Sequence, residues 1–154
     1  LIARHVGDLQ IGVYVAPSYV ERLGAPAHPR ELQNTDHCIV GFLSSRTSKI
    51  DPLVLCSENE RIEITGNYVL AVDDGNAYLE AGLVGLGVIA LPNYMAAAHQ
   101  AVGALIPLFT QWRISPMPLY LAFPPNRHVN AKLRVFIDWI VELMQQHVPI
   151  TNNQ

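Results

Sequence analysis

The sequence predicts an α/β fold, a mixed sheet flanked by helices, and three observations carry this. Short β-rich runs alternate with helical ones along the chain. The stretch from Val72 to Pro92, VDDGNAYLEAGLVGLGVIALP, reads as a complete helix-to-strand unit. Two short apolar runs flank SENE as a hairpin, which adds an antiparallel excursion.

From the N-terminal side, LQIGVYV (Leu9 to Val15) alternates and is β-rich, so it is a strand. Pro17 suits the first turn of a short helix, PSYVERL, which Gly24 ends. Pro29 opens a single turn in HPRELQN, and Cys38 to Leu43 is a buried strand followed by a polar loop from Ser44 to Lys49. Pro52 to Cys56 and Arg61 to Thr65 are the arms of the hairpin, and Tyr68 to Val72 is a further strand.

That strand runs into the opening unit. Asp73 or Asp74 is the N-cap, because a carboxylate accepts the orphan amide hydrogens of a first turn and suits the positive end of the helix dipole. Leu79, Leu83 and Leu86 repeat at helical spacing. Gly85 or Gly87 takes the left-handed conformation that stops the helix, and Val88 to Leu91 is a buried strand. Asn93 caps a short helix reaching His99. Leu105 to Phe109 and Leu119 to Phe123 are strands separated by WRISPMP, whose prolines at 116 and 118 forbid a central strand there. The final helix, Asn130 to Gln146, places Leu133, Phe136, Ile137, Ile140, Leu143 and Met144 on one stripe. The stripe needs cover, either from Leu119 to Phe123 or from a second copy of the chain; an isologous pair is the expectation, since one orphan stripe then buries another.

Composition narrows the function. With 154 residues, half of them apolar and 15% charged, the chain has room for one domain with a real core. Its longest apolar run, Leu79 to Leu91, is short of the roughly 20 residues of a membrane span and is broken by glycines. No secretory signal pattern opens the chain, which begins at LIARHVGDLQ without Met and reads as an excised fragment. A net charge of −3 with 10 scattered basic residues argues against a nucleic-acid surface, so any DNA contact belongs to another segment. Cys38 and Cys56 lack CxxC spacing and read as free thiols in a reducing compartment, although sequence leaves a disulfide between them open.

No catalytic or metal set assembles. The six histidines show neither HExxH nor a close pair. Ser44, Ser45 and Ser48 lack a GxSxG setting, and Cys38 has no cation or helix N-terminus beside it. GLVGLG lies after a helix and before a strand, the reverse of the dinucleotide order, so no cofactor is expected. Trp112 and Trp139 suit core or partner contacts. Asp73 and Asp74 are adjacent, so their side chains diverge; a ligand met there is polar or cation-bearing, or binds backbone amides. In α/β sheets ligands sit beyond the carboxyl ends of strands, where helix N-termini also point, and Val72 to Gly75 is such a corner.

The ordered combination LIARHVG, VAPSYVERLGAPAHPRELQNTDHCIV, DDGNAYLEAGLVGLGVIALPNYM, LIPLFTQW and PLYLAFPPNRHVNAKLRVFIDWIVE resembles the effector-binding domain of LysR-type transcriptional regulators over nearly the whole chain. The resemblance implies a periplasmic-binding-protein-like fold of type 2, with a small effector held between two subdomains and DNA bound through a separate winged helix-turn-helix. It further implies that Gly12 to about Met117 forms the second subdomain, with residues 118–154 supplying a return strand and helix to the first. Expected effector-wall residues are Pro17 and Ser18 after the first strand (with Ala16), Val40, Gly41 and Phe42 at the second (with Leu43), and Val72, Asp73 and Asp74 at the corner. Phe42 would give apolar contact; Ser18 and the backbone amides near Asp74 would give hydrogen bonds. The family's PWRF-like segment reads PLVL at Pro52 to Leu55, and its NDGEA corner reads DDGNA, so effector identity does not carry over. A cytoplasmic, oligomeric, non-enzymatic sensor follows. The competing readings are a periplasmic solute-binding protein and a small α/β enzyme.

Overall fold

The computed structural model describes residues 1–34, 36–125 and 131–148. The chain divides into two compact units, one of Leu1–Gln10 with Pro116–Gln154, the other of Ile11–Ser115.

In the first unit, strand β1 (Ile2–Leu9) pairs antiparallel with a strand at Met117–Phe123, and a helix at Ala131–His147 packs on them. The expected strand from Leu9 to Val15 is therefore two strands meeting at Gln10. Arg4, His5 and Asp8 interrupt the alternation of IARHVGDL, which hid the first of them. A bulge between His5 and Gly7 lets His5 Nε2 reach both the Gly7 carbonyl at 3.0 Å and the buried Asp8 carboxylate at 2.9 Å. Pro118 falls within the Met117–Phe123 strand. That strand has β1 as its one ladder partner among the described residues, so the proline interrupts no central pairing.

The helix folds back on this ribbon. Leu133, Ile137, Val141 and Met144 meet Val6, Leu119, Leu121 and Phe123, of which the last three alternate on one strand face. The stripe is thus rotated from the one expected: Val141 belongs to it, whereas Phe136 stays 50% exposed and stacks at a tilt on the exposed Trp139. Asn130, the expected helix start, lies outside the described residues.

In the second unit, β2 (Ile11–Val15) leads to α1 (Pro17–Leu23), which Gly24 closes at φ 78°, and to a 3-10 turn at Pro29–Gln33. Strands β3 (Cys38–Phe42), β4 (Leu53–Cys56), β5 (Arg61–Ile64) and β6 (Asn67–Val72) follow, then α2 (Gly75–Leu83), β7 (Ile89–Pro92), α3 (Asn93–Ala101) and β8 (Ile106–Leu108). The β4–β5 pair is the expected hairpin, closed by Ser57 N–H donating to the Glu60 carbonyl at 2.8 Å.

Strands β3 and β6 are parallel, and the bridge between Ile39 and Val88 sets β7 parallel to β3. Strand β2 then runs antiparallel to both β7 and β8. The succession β6-β3-β7-β2-β8 buries residues on both faces. Val13, Val15, Ile39 and Val88 enter one cluster with Tyr19, Leu55 and Ile64; their neighbours Tyr14, Val40 and Ile89 enter the other with Tyr78, Ala81 and Leu91.

The glycines after α2 are scaffold. Leu86 N–H donates to the Ala81 carbonyl and Gly85 N–H to the Gly82 carbonyl, each at 3.0 Å, with Gly85 at φ 77°. This is a Schellman closure, which needs a left-handed residue at Gly85. Gly87 is needed because a Cβ there would meet the Cys38–Val40 backbone at 2.9–3.0 Å. Leu86 lies outside the helix and is exposed, and Tyr78 is the aromatic that α2 buries instead.

Candidate functional site

The carboxyl ends of β3, β6 and β7 and the start of β2 share one end of the second unit, because β2 runs opposite to the other three. Ile11 pairs with Pro92 there, and Leu43 N–H donates to the Val72 carbonyl at 2.7 Å. The N-termini of α2 and α3 open at this end, with Met95 Cε 3.9 Å from the position a Cβ on Gly75 would take.

Asp74 caps α2. Its Oδ1 accepts from Asn76 N–H at 3.0 Å and Ala77 N–H at 2.8 Å, while its carbonyl accepts from Tyr78 N–H. Those amides are consumed, so the corner offers carboxylate oxygens more than free N–H groups. Asp73 beside it is exposed. Phe42 and Val72 are half-buried, and the Phe42 ring meets Tyr78 edge to face at 5.4 Å. Tyr78 is 6% exposed, accepts from Ala90 N–H at 3.0 Å, and burial pushes its phenol up to about 12.

Four expected wall residues fall elsewhere. Val40 is 1% exposed inside the core cluster of α2, and the one side of Gly41 without a Cβ is closed by Ile50 and Tyr68. Neither presents surface to a ligand in this structure. Pro17 and Ser18, although exposed, follow the carboxyl end of β2 and so lie at the opposite end of the sheet from Asp74. Ser18 Oγ packs against Gly85. At that end Tyr19 hydroxyl accepts from Cys38 N–H at 3.0 Å and pairs with His37 Nδ1 at 2.9 Å. The cause is strand direction: an antiparallel β2 sends its two ends to places reversed from those of a parallel one.

Two residues at the Asp74 end were not expected there. Tyr14 hydroxyl donates to Asn93 Oδ1 at 3.0 Å, across the missing side chain of Gly12. Burial raises the Tyr14 pKa, which keeps the phenol a donor. Asn93 is the first residue of α3 and the cap position is Pro92, which makes no side-chain cap. Its amide was read as a local cap because local contacts are what sequence displays. Among the described residues, no group of three or more His, Cys, Asp or Glu could hold a metal ion, and no helix is long and apolar enough to cross a membrane.

A sheet that carries helix N-termini and exposed carboxylates at one strand end defines the class: an α/β domain of the kind that meets small ligands at strand ends. Residues 1–145 match the LysR substrate binding domain. The chain therefore belongs to that family, whose regulatory domains have a periplasmic-binding-protein-like fold. An HTH-type transcriptional repressor of Pseudomonas aeruginosa is 27% identical over 150 residues, covering 97% of this chain and 47% of the relative. CrgA of Neisseria meningitidis serogroup B, an HTH-type transcriptional regulator, is 29% identical over 143 residues, covering 92% and 46%. The chain spans about half the length of these curated relatives. The regulatory domain of AphB from Vibrio vulnificus superposes with a TM-score of 0.74 at 23% identity, over 92% of this chain and 68% of that one. The CrgA regulatory domain gives 0.75 at 23%, over 93% and 68%.

Proposed function

We propose that this chain is the ligand-sensing part of a LysR-type transcriptional regulator, and that a small effector contacts the second unit at Phe42, Val72, Asp73 and Asp74. The effector sets DNA binding by a helix-turn-helix segment of the longer protein. The chain itself turns over no substrate, acts in the cytoplasm, and works in a homo-oligomer. The observation that supports this wall is the spent state of the first-turn amides of α2. With Asn76 and Ala77 N–H already bound by Asp74, the corner offers a ligand carboxylate oxygens more than first-turn amides. The effector therefore carries a hydrogen-bond donor or a cationic group beside an apolar part that rests on Phe42 and Val72.

The experiment separates capping from sensing. Asn caps a helix about as well as Asp, so Asp74→Asn should unfold within about 1 kcal/mol of the parent, whereas Asp74→Ala should lose about 0.5–2 kcal/mol. Asp74→Asn and Asp73→Asn in the full-length regulator should both shift reporter induction in a screen of cationic and polar small molecules. A dose-response left unchanged by both substitutions would remove the corner from the effector wall and leave Asp74 as a cap alone.

A further inference from the structure

Strands β2 and β8, the hairpin and the turn after β8 line a half-open pocket of about 230 Å³ that shares no residue with the wall at Asp73 and Phe42. Its apolar side is Leu55, Leu108, Trp112 and Ile114, all part of or packed on one core cluster. Cys56 and Arg113 exchange two backbone hydrogen bonds, 2.8 and 2.7 Å, which fix the Trp112–Ile114 segment to the hairpin. Phe109 holds a left-handed backbone at φ 53°, a conformation uncommon for a bulky residue, and its carbonyl accepts from Trp112 N–H at 2.8 Å. The turn so formed aims the Trp112 ring, and the His28 ring meets that indole edge to face at 5.2 Å. Backbone strain kept at a concave surface is a pointer to use.

The polar side is Asn93 and Thr110, with Tyr14 also in the lining. Because Tyr14 donates to Asn93 Oδ1, the amide orientation is set and Asn93 Nδ2 is left to donate, while the phenol oxygen can still accept. No lining residue is charged. An ionised ligand would find no side chain of opposite charge in the lining, which favours neutral molecules. The volume lies below the roughly 300–1,000 Å³ typical of drug-sized ligands, so the fit is to one ring and a short polar group.

We infer that this pocket is a second small-molecule site, for an uncharged single-ring aromatic or heteroaromatic compound whose carbonyl accepts from Asn93 and whose N–H or O–H donates toward Thr110. Benzamide is the probe and benzoate the charged comparison. The protein is the described chain carrying Trp139→Phe, so that Trp112 gives the one indole signal in ¹⁵N NMR. Benzamide should produce saturable shifts at the Trp112 indole and at the Gly12 and Asn93 amides, with benzoate at least about tenfold weaker. Ile114→Trp, which fills the pocket, should abolish the shifts at the Gly12 and Asn93 amides. Asn93→Ala, at an exposed helix start, should weaken benzamide by about tenfold, the loss of one hydrogen bond. Should Ile114→Trp fail to fold, Asn93→Ala and the benzoate comparison decide the matter. Shifts that never saturate, equal binding of benzoate, or benzamide binding untouched by Asn93→Ala would each overturn the assignment.

Discussion

Tyr78 offers a quantitative test of how α2 is held on the sheet behind Phe42. Its hydroxyl accepts from Ala90 N–H at 3.0 Å, and burial pushes its pKa up to about 12 from an ordinary 10. Because the folded pKa lies above the unfolded one, the stabilisation is complete below pH 10 and is lost as pH rises toward 12. One unit of pKa shift corresponds to about 1.4 kcal/mol, so the parent should lose about 1.4 kcal/mol through this group by pH 11 and about 2–3 kcal/mol beyond pH 12. Tyr78→Phe removes the titration and leaves Ala90 N–H without its acceptor, which should lower stability at pH 7 by about 1–3 kcal/mol. Urea unfolding followed by circular dichroism at pH 7, 9, 10 and 11 measures both proteins. Tyr14, Tyr19 and Tyr68 also have raised pKa values, but they are present in both proteins and cancel in the difference. The stability gap between parent and variant should narrow by about 1.4 kcal/mol between pH 9 and pH 11. Two curves that fall in parallel over that range would refute the buried, neutral phenol.

The rotated stripe on the last helix predicts that Ile137→Ala should lose about 2–5 kcal/mol in thermal or urea unfolding, against less than about 1 kcal/mol for the half-exposed Phe136→Ala; equal losses would restore the stripe first expected. Gly82→Ala drives a methyl group into the Ile89 side chain and should lower stability by about 1–3 kcal/mol despite alanine's better helix propensity, so a stabilised variant would mean that α2 does not approach β7 as closely as it does here.

Sequence alone determined the elements whose cause is local. The stop at Gly24, the SENE hairpin and the proline-opened helix α1 each rest on contacts within a few residues and stand where the sequence put them, while the α2 cap and stop were narrowed to Asp73 or Asp74 and to Gly85 or Gly87, of which the structure takes Asp74 and Gly85. The ordered motifs pointed to the LysR family for a related reason: together they record a whole chain's succession of caps, corners and strands. Tertiary structure decided what depends on pairing between distant segments. Strand alternation reports which side chains are buried, not which way a strand runs. Sequence therefore could not tell that β2 is antiparallel to β7 and sends Pro17 and Ser18 away from Asp74. Nor does an apolar run reveal that both its faces are covered, which is why Val40 and Gly41 looked available and are not. The Tyr14–Asn93 hydrogen bond joins residues 79 positions apart, and the face that the last helix buries was fixed by the β1 ribbon beneath it. Local propensity starts and stops elements; which faces and ends meet is settled by burial of apolar surface across the chain.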